Sequence, residues 1–257
     1  MEIKNLFRFR EEGEAQKPFL DHLEDLRWMV IKMVIALVLG MVAGFLLRVP
    51  LVRLLQHPLA SVDPALPSKL QSFGVADSLT ISFQLAFYAG IVMSFPFLLY
   101  FLAEFILPAL TRAELRVLIP AMVAGIGLFL GGVLFCYFVV LPQTLAYFFS
   151  DSQTMGWSPN WSVREYFAFT TQFTLSFGLA FELPVAVLAL VRLGLLTQQT
   201  LKATRPYAVV IILFLAAIIT PTSDLLTLAL MGGPMLVLYE ICIWIARFVE
   251  RKADPVP

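Results

Sequence analysis

Charge is scarce in this chain. Asp, Glu, Lys and Arg make up 14% of its 257 residues, against about 25% in a typical soluble domain. Acidic and basic residues number 18 each, so there is no global basic field of the kind that gathers nucleic acid. Cysteine is nearly absent: Cys136 and Cys242 both lie inside apolar runs and form no CxxC, which argues against a disulfide framework and against a metal site. The only histidines are His22 and His57, and no HExxH, P-loop or GxGxxG occurs. No internal repeat is strong enough to suggest an inverted-repeat transporter, and no segment is of low complexity. What the chain has in quantity is apolar surface. Hydrophobic residues reach 60%, with 23 Phe, and the mean hydropathy is +0.85.

Such a composition belongs to a polytopic membrane protein. A spanning helix needs about 20 mostly apolar residues, and in hydrocarbon every backbone group must bond internally, so apolar runs of that length must be helical. Six runs qualify, giving an all-α fold with six transmembrane helices. They are expected at Trp28 to Leu47, Leu79 to Leu107, Val117 to Val140, Tyr166 to Val191, Pro206 to Thr220 and Leu225 to Ala246. Lys32 is near enough to the start of the first to snorkel. Pro142 is expected to bend or end the third. Only 18 uncharged residues separate Arg205 from Asp224, so the last two helices are expected to be short, thinning the bilayer locally or sitting shifted within it.

Lys and Arg orient the spans. The N-terminal tail, the second and fourth loops and the C-terminal end together carry 13, and the other side carries 4: Arg48, Arg53, Lys69 and Arg164. Both termini are therefore expected in the cytoplasm. Residues 1–27 mix both charges around no apolar core, so they read as a retained tail and not as a cleaved signal peptide. The expected organisation is a cytoplasmic tail over 1–18, a six-helix domain over 19–248 and a second cytoplasmic tail over 249–257. The outer loops, 48–78 and 142–164, are the longer ones, and Trp157 and Trp161 suit a membrane interface.

Few polar residues sit within the spans. Glu182, in Phe177 through Pro184, is the most informative. A carboxylate there costs roughly 2.5–3.5 kcal/mol on insertion scales and usually faces a bundle interior or a hydrated cavity. It reads as an anchor for a partner helix, as a proton-linked site or as a structural carboxyl bonded to a neighbouring helix. Pro184 frees a carbonyl one turn earlier and is expected to kink this helix. Glu240 reads as a structural group that reaches the interface or pairs with Arg247, and Glu104 as a group that snorkels. At the N-terminal entry, Asp21 with Glu24 three residues on reads as a variant capping box, which would leave Asp25 free at the membrane surface. In the second loop, Glu114 reads as an ion-pair partner of Arg112 or Arg116, or as a second cytoplasmic carboxylate. Gly40-x-x-x-Gly44 and Gly127-x-x-x-Gly131 read as close helix-packing sites.

Together these segments resemble the TatC family. His22-Leu23-Glu24-Asp25-Leu26-Arg27 is similar to that family's His-Leu-x-Glu-Leu-Arg. Phe95-Pro96-Phe97-Leu98-Leu99-Tyr100 looks like its second-helix motif, and Phe105 through Glu114 like its Phe-x-x-Pro-Ala-Leu loop. Tyr137 through Pro142, Phe177 through Pro184, and Thr220-Pro221 with Asp224 match later motifs. The likeness runs from about Phe19 to Phe248. Two departures stand out: Asp25 replaces the family's usual Glu, and Leu228 stands where the family often has Gln.

The resemblance implies a receptor, with no enzymatic activity and no cofactor, for signal peptides bearing two consecutive arginines. Such peptides direct folded proteins across the bacterial inner membrane, driven by the proton-motive force. Expected partners are those peptides, single-span subunits of the TatA and TatB types, and membrane lipids, within an oligomeric complex. Asp25, Glu24 and Glu114 are the expected arginine acceptors, because a guanidinium binds carboxylates in a bidentate fork. Glu182 would dock partner subunits in a concave groove, and Pro96, Pro184 and Asp224 would shape helices and turns. The alternative is a proton-coupled small-molecule transporter with Glu182 as its coupling site.

Overall fold

The computed structural model describes residues 19–106, 112–192, 194, 196–219 and 224–250, with side chains left out at 19–22, 112–118, 219 and 248–250. The tail expected over 1–18, most of that over 249–257 and the Thr220-Pro221 turn lie outside the described residues. Within them the protein is all-helical: α1 (Phe19–Leu46), α2 (Arg48–Val62), α3 (Leu66–Lys69), α4 (Asp77–Ile106), α5 (Arg112–Phe135), α6 (Leu141–Thr154), α7 (Val163–Ala180), α8 (Leu183–Arg192), α9 (Gln198–Ala203), α10 (Arg205–Ile219) and α11 (Leu225–Glu250). Five stretches are long and apolar enough to cross a membrane: Leu23–Leu46, Asp77–Ile106, Ile119–Thr154, Val163–Arg192 and Leu225–Arg247. The shorter apolar helix α10 makes the sixth.

The spans pack through glycine. A Cβ on Gly40 would lie 2.7 Å from the Gly90 carbonyl oxygen, and one on Gly44 would lie 3.0 Å from that of Ala86. Helices α1 and α4 therefore meet backbone to backbone. A second seam joins α5 to α7, where Cβ atoms on Gly132 and Gly178 would collide with Phe177, Phe181, Phe129 and Val133. Small residues permit this approach in lipid, where close dispersion contact replaces the hydrophobic drive. The Gly40-x-x-x-Gly44 expectation holds. The Gly127-x-x-x-Gly131 expectation does not, because nothing among the described residues lies within 4 Å of a Cβ at either position. Stacked rings of Phe95 and Phe129, 3.6 Å between centroids, tie α4 to α5.

Four further expectations are corrected. Pro142 does not end the third span. A π-helical turn over Cys136–Val140 carries the chain into α6, with the Leu141 amide donating to the Cys136 carbonyl five residues back. The wider turn absorbs a proline that has no N–H to give. Helix α10 is short at 15 residues, about 22 Å at the usual rise, but α11 runs for 26 because helix continues past the apolar run. Asp21 lies inside α1 and not ahead of it, so its place on the backbone is not that of an N-cap. The outer segment 48–78, expected as loop, holds α2 and α3. Pro58 within α2 deprives the Leu54 carbonyl of its helical donor, and the Tyr137 hydroxyl donates to that carbonyl at 2.8 Å. Tyr166 bonds the next carbonyl, Leu55, at 2.5 Å. Helix α2 is thereby held over α5 to α7, and the second outer segment is held to the first by Gln71, whose amide donates to the Trp161 carbonyl.

Candidate functional site

Two polar regions stand out against the apolar bundle. One lies where α1 begins and α4 ends. Glu24 and Asp25 occupy the early turns of α1, Glu24 exposed and Asp25 half-buried. Lys32 lies two turns beyond Asp25 on the same face, since seven residues make almost two full turns. Its ammonium donates to both oxygens of Glu104 on α4, at 3.0 and 3.1 Å. It also lies 5.9 Å from the centre of the Phe101 ring. Both partners keep close to half of their side-chain surface exposed, 43% and 46%. Lys32 and Glu104, each expected to snorkel alone, are thus partners across two helices. Glu114 lies on the first turn of α5, with its side chain outside the described residues.

The other region is the break between α7 and α8. Pro184 has no amide to give the Ala180 carbonyl, and the helix stops at Ala180 and restarts at Leu183. The expected kink is therefore a full interruption. The Glu182 amide bonds the Leu179 carbonyl at 3.1 Å, and the Glu182 carbonyl accepts from Ala186. Its side chain packs against α5. A Cβ on Gly125 would lie 3.1 Å from one carboxyl oxygen, and Leu99 bounds the same notch. The other oxygen, Oε1, is buried with no hydrogen-bond partner among the described residues. Irregular backbone at membrane depth is tolerated where protein or a wet cavity covers it.

The remaining expected residues have structural surroundings. Asp224 caps α11: Oδ1 accepts from the Thr227 amide at 2.7 Å and Oδ2 from its hydroxyl at 2.6 Å. Pro96 sits inside an unbroken α4. Glu240 pairs with Arg205 at 2.7 Å, not with Arg247, which is two turns away on the same helix. Cys136 and Cys242 are buried free thiols. A cavity of about 260 Å³ lies under α2, walled by α4, α5 and α7, with Leu54, Leu85, Val133 and Thr174 among its lining.

The family model described as Sec-independent protein translocase protein (TatC) matches residues 21–234. The chain belongs to the TatC family. It is 36% identical to TatCy of Bacillus subtilis (strain 168) over 239 residues, covering 93% of this chain and 92% of that protein. Against TatC of Deinococcus radiodurans the figures are 35%, 95% and 92%. A TatC of Akkermansia muciniphila is 50% identical over 183 residues, which is 71% of this chain but 53% of that longer protein. A crystal structure described as the twin arginine translocase receptor TatC superposes with a TM-score of 0.79 at 33% identity, over 89% of this chain and 99% of that one. The TatC family supplies a subunit of a protein translocase, not an enzyme, and this TatC-family chain is a multi-pass membrane protein of six transmembrane helices.

Proposed function

We propose that this chain is the receptor subunit of the twin-arginine translocase, and that it binds the arginine pair of a signal peptide through Asp25 and Glu114, with Glu24 as a substitute for Asp25. The observation that supports this most is the α1–α4 seam. Backbone contact at Gly40 and Gly90 makes the acidic start of α1 and the end of α4 one rigid unit, and Glu114 follows Ile106 by eight residues. Two guanidinium groups need two acceptors, and carboxylates give bidentate, charge-assisted bonds that an ammonium cannot match. Asp25 is one methylene shorter than the usual Glu, so a rigid platform matters more to it.

In this reading both termini are cytoplasmic, the membrane is the bacterial inner membrane, and residues 19–248 form the membrane domain between two tails. The buried Oε1 of Glu182, which has no hydrogen-bond partner among the described residues, takes a hydrogen bond from a single-span partner subunit of the TatA or TatB type. The receptor thereby nucleates the complex that exports folded proteins. The test is binding of a signal peptide carrying Arg-Arg to the full chain in lipid nanodiscs. Asp25→Asn and Glu114→Gln should each weaken it roughly tenfold or more, the scale of losing one charge-assisted contact. Undiminished binding to both variants sinks the assignment. Glu182→Ala should leave peptide binding intact but weaken crosslinks to partner subunits, and unchanged crosslinks would count against its docking role.

A further inference from the structure

We propose that Glu104 is a third arginine acceptor at this receptor site, held in reserve by Lys32, and that an incoming signal-peptide arginine exchanges with Lys32 upon it. The inference rests on the receptor reading above and adds a residue and a step to it.

The geometry favours exchange over a fixed strut. Lys32 shares one nitrogen between the two oxygens of Glu104. A guanidinium can give each oxygen its own N–H, so it is the better ligand for the same carboxylate. The pair is not sealed into the bundle, since both side chains are close to half exposed, and a ligand can reach it without parting the helices. The seam at Gly40 and Gly90 keeps α1 and α4 in place whether or not the ion pair is made. Lys32 is on the face of α1 that carries Asp25, about 10 Å further along the axis. Glu104 is two residues from the end of α4, ahead of Glu114. A displaced lysine has somewhere to go, because its long stem lets the ammonium snorkel to lipid headgroups. Before a peptide arrives, the resident lysine keeps Glu104 from being an uncompensated charge at the membrane. Arg205–Glu240, the corresponding pair between α10 and α11, already has a guanidinium as its cation, with one nitrogen 2.7 Å from a carboxyl oxygen. It offers an incoming arginine no advantage.

The experiment compares the affinity of the full chain in nanodiscs for signal peptides carrying Arg-Arg or Lys-Lys. Lys32→Gln removes the competitor and should strengthen Arg-Arg binding several-fold. Glu104→Gln removes the acceptor and should weaken it about tenfold, while narrowing the preference for Arg-Arg over Lys-Lys. Lys32→Arg is the decisive variant. It keeps the ion pair and the fold but holds Glu104 in a better fork, and should weaken Arg-Arg binding with thermal stability unchanged. A merely structural pair predicts that both glutamine variants shift binding in the same direction and that Lys32→Arg is silent, and either result overturns the exchange. If the wild-type chain binds no Arg-Arg peptide, the receptor reading fails and this inference fails with it. If it binds and the three variants do not differ, only the inference fails.

Discussion

The α1–α4 seam and the α5–α7 seam are built alike and end differently. Both bring backbones into contact at glycine: Gly40 against Gly90 in the first, Gly132 and Gly178 against facing aromatic and aliphatic groups in the second. Each also brings a glutamate to the helix surface. Glu104 finds Lys32 on the facing helix, whereas Glu182 finds the bare backbone of Gly125 and has one oxygen with no partner among the described residues. Close packing alone therefore does not settle what a carboxylate does in a membrane. A cation within reach gives a neutral unit, and where none stands among the described residues a hydrogen-bonding capacity is left over.

The comparison breaks most visibly if the seams are not seams. Gly40→Val would push a side chain into the Gly90 carbonyl, and should cost about 3 kcal/mol or more in thermal unfolding of the detergent-solubilised chain. Unaltered stability would mean that α1 and α4 are not in backbone contact. Glu182→Leu should go the other way. Removing a half-buried carboxylate whose Oε1 has no partner among the described residues should stabilise the isolated chain by about 1–2 kcal/mol while abolishing partner crosslinks. A loss of stability would mean that Glu182 already has a partner. Gly127→Ala, where a methyl meets nothing, should be neutral or stabilise by up to about 1 kcal/mol through helix propensity. A large loss there would restore Gly127 as a packing site. Arg205→Gln breaks a half-exposed ion pair and should cost no more than about 1 kcal/mol. A larger cost would make Glu240 a second Glu182.

Hydropathy alone exposed five of the six spans, because twenty apolar residues have few other uses, and showed the 15-residue α10 as a short apolar run. It also marked Glu182 as an outlier, and the missing amide of Pro184 announced a kink where the structure has a full interruption. Partners distant in sequence were invisible. Lys32 meets Glu104 across 72 residues and Arg205 meets Glu240 across 35, and no local pattern announces either. The same blindness made Gly127 and Gly131 look like a packing motif, when it is Gly132 that meets Phe177 of α7 and Gly125 that meets the Glu182 carboxylate. Prolines misled in one direction, towards breaks where the helix continues. Pro142, expected to bend or end the third span, is passed by a π-helical turn that carries the helix on. The segment 48–78 was expected as loop, yet Pro58 sits inside α2 and frees the carbonyl to which Tyr137 bonds. Asp224, by contrast, could be read from its neighbours, since a cap is a contact three residues away.

Site-specific photocrosslinking in membrane vesicles bears most directly on the receptor assignment. Probes placed beside Asp25 and beside Glu114 would be challenged with a signal peptide carrying Arg-Arg and with the same peptide carrying Lys-Lys. Strong crosslinks at both positions that disappear with Lys-Lys are expected of a carboxylate site reading two guanidinium groups. Crosslinks that are equal for the two peptides, or absent from both positions, would contradict it and leave only the six-helix architecture standing.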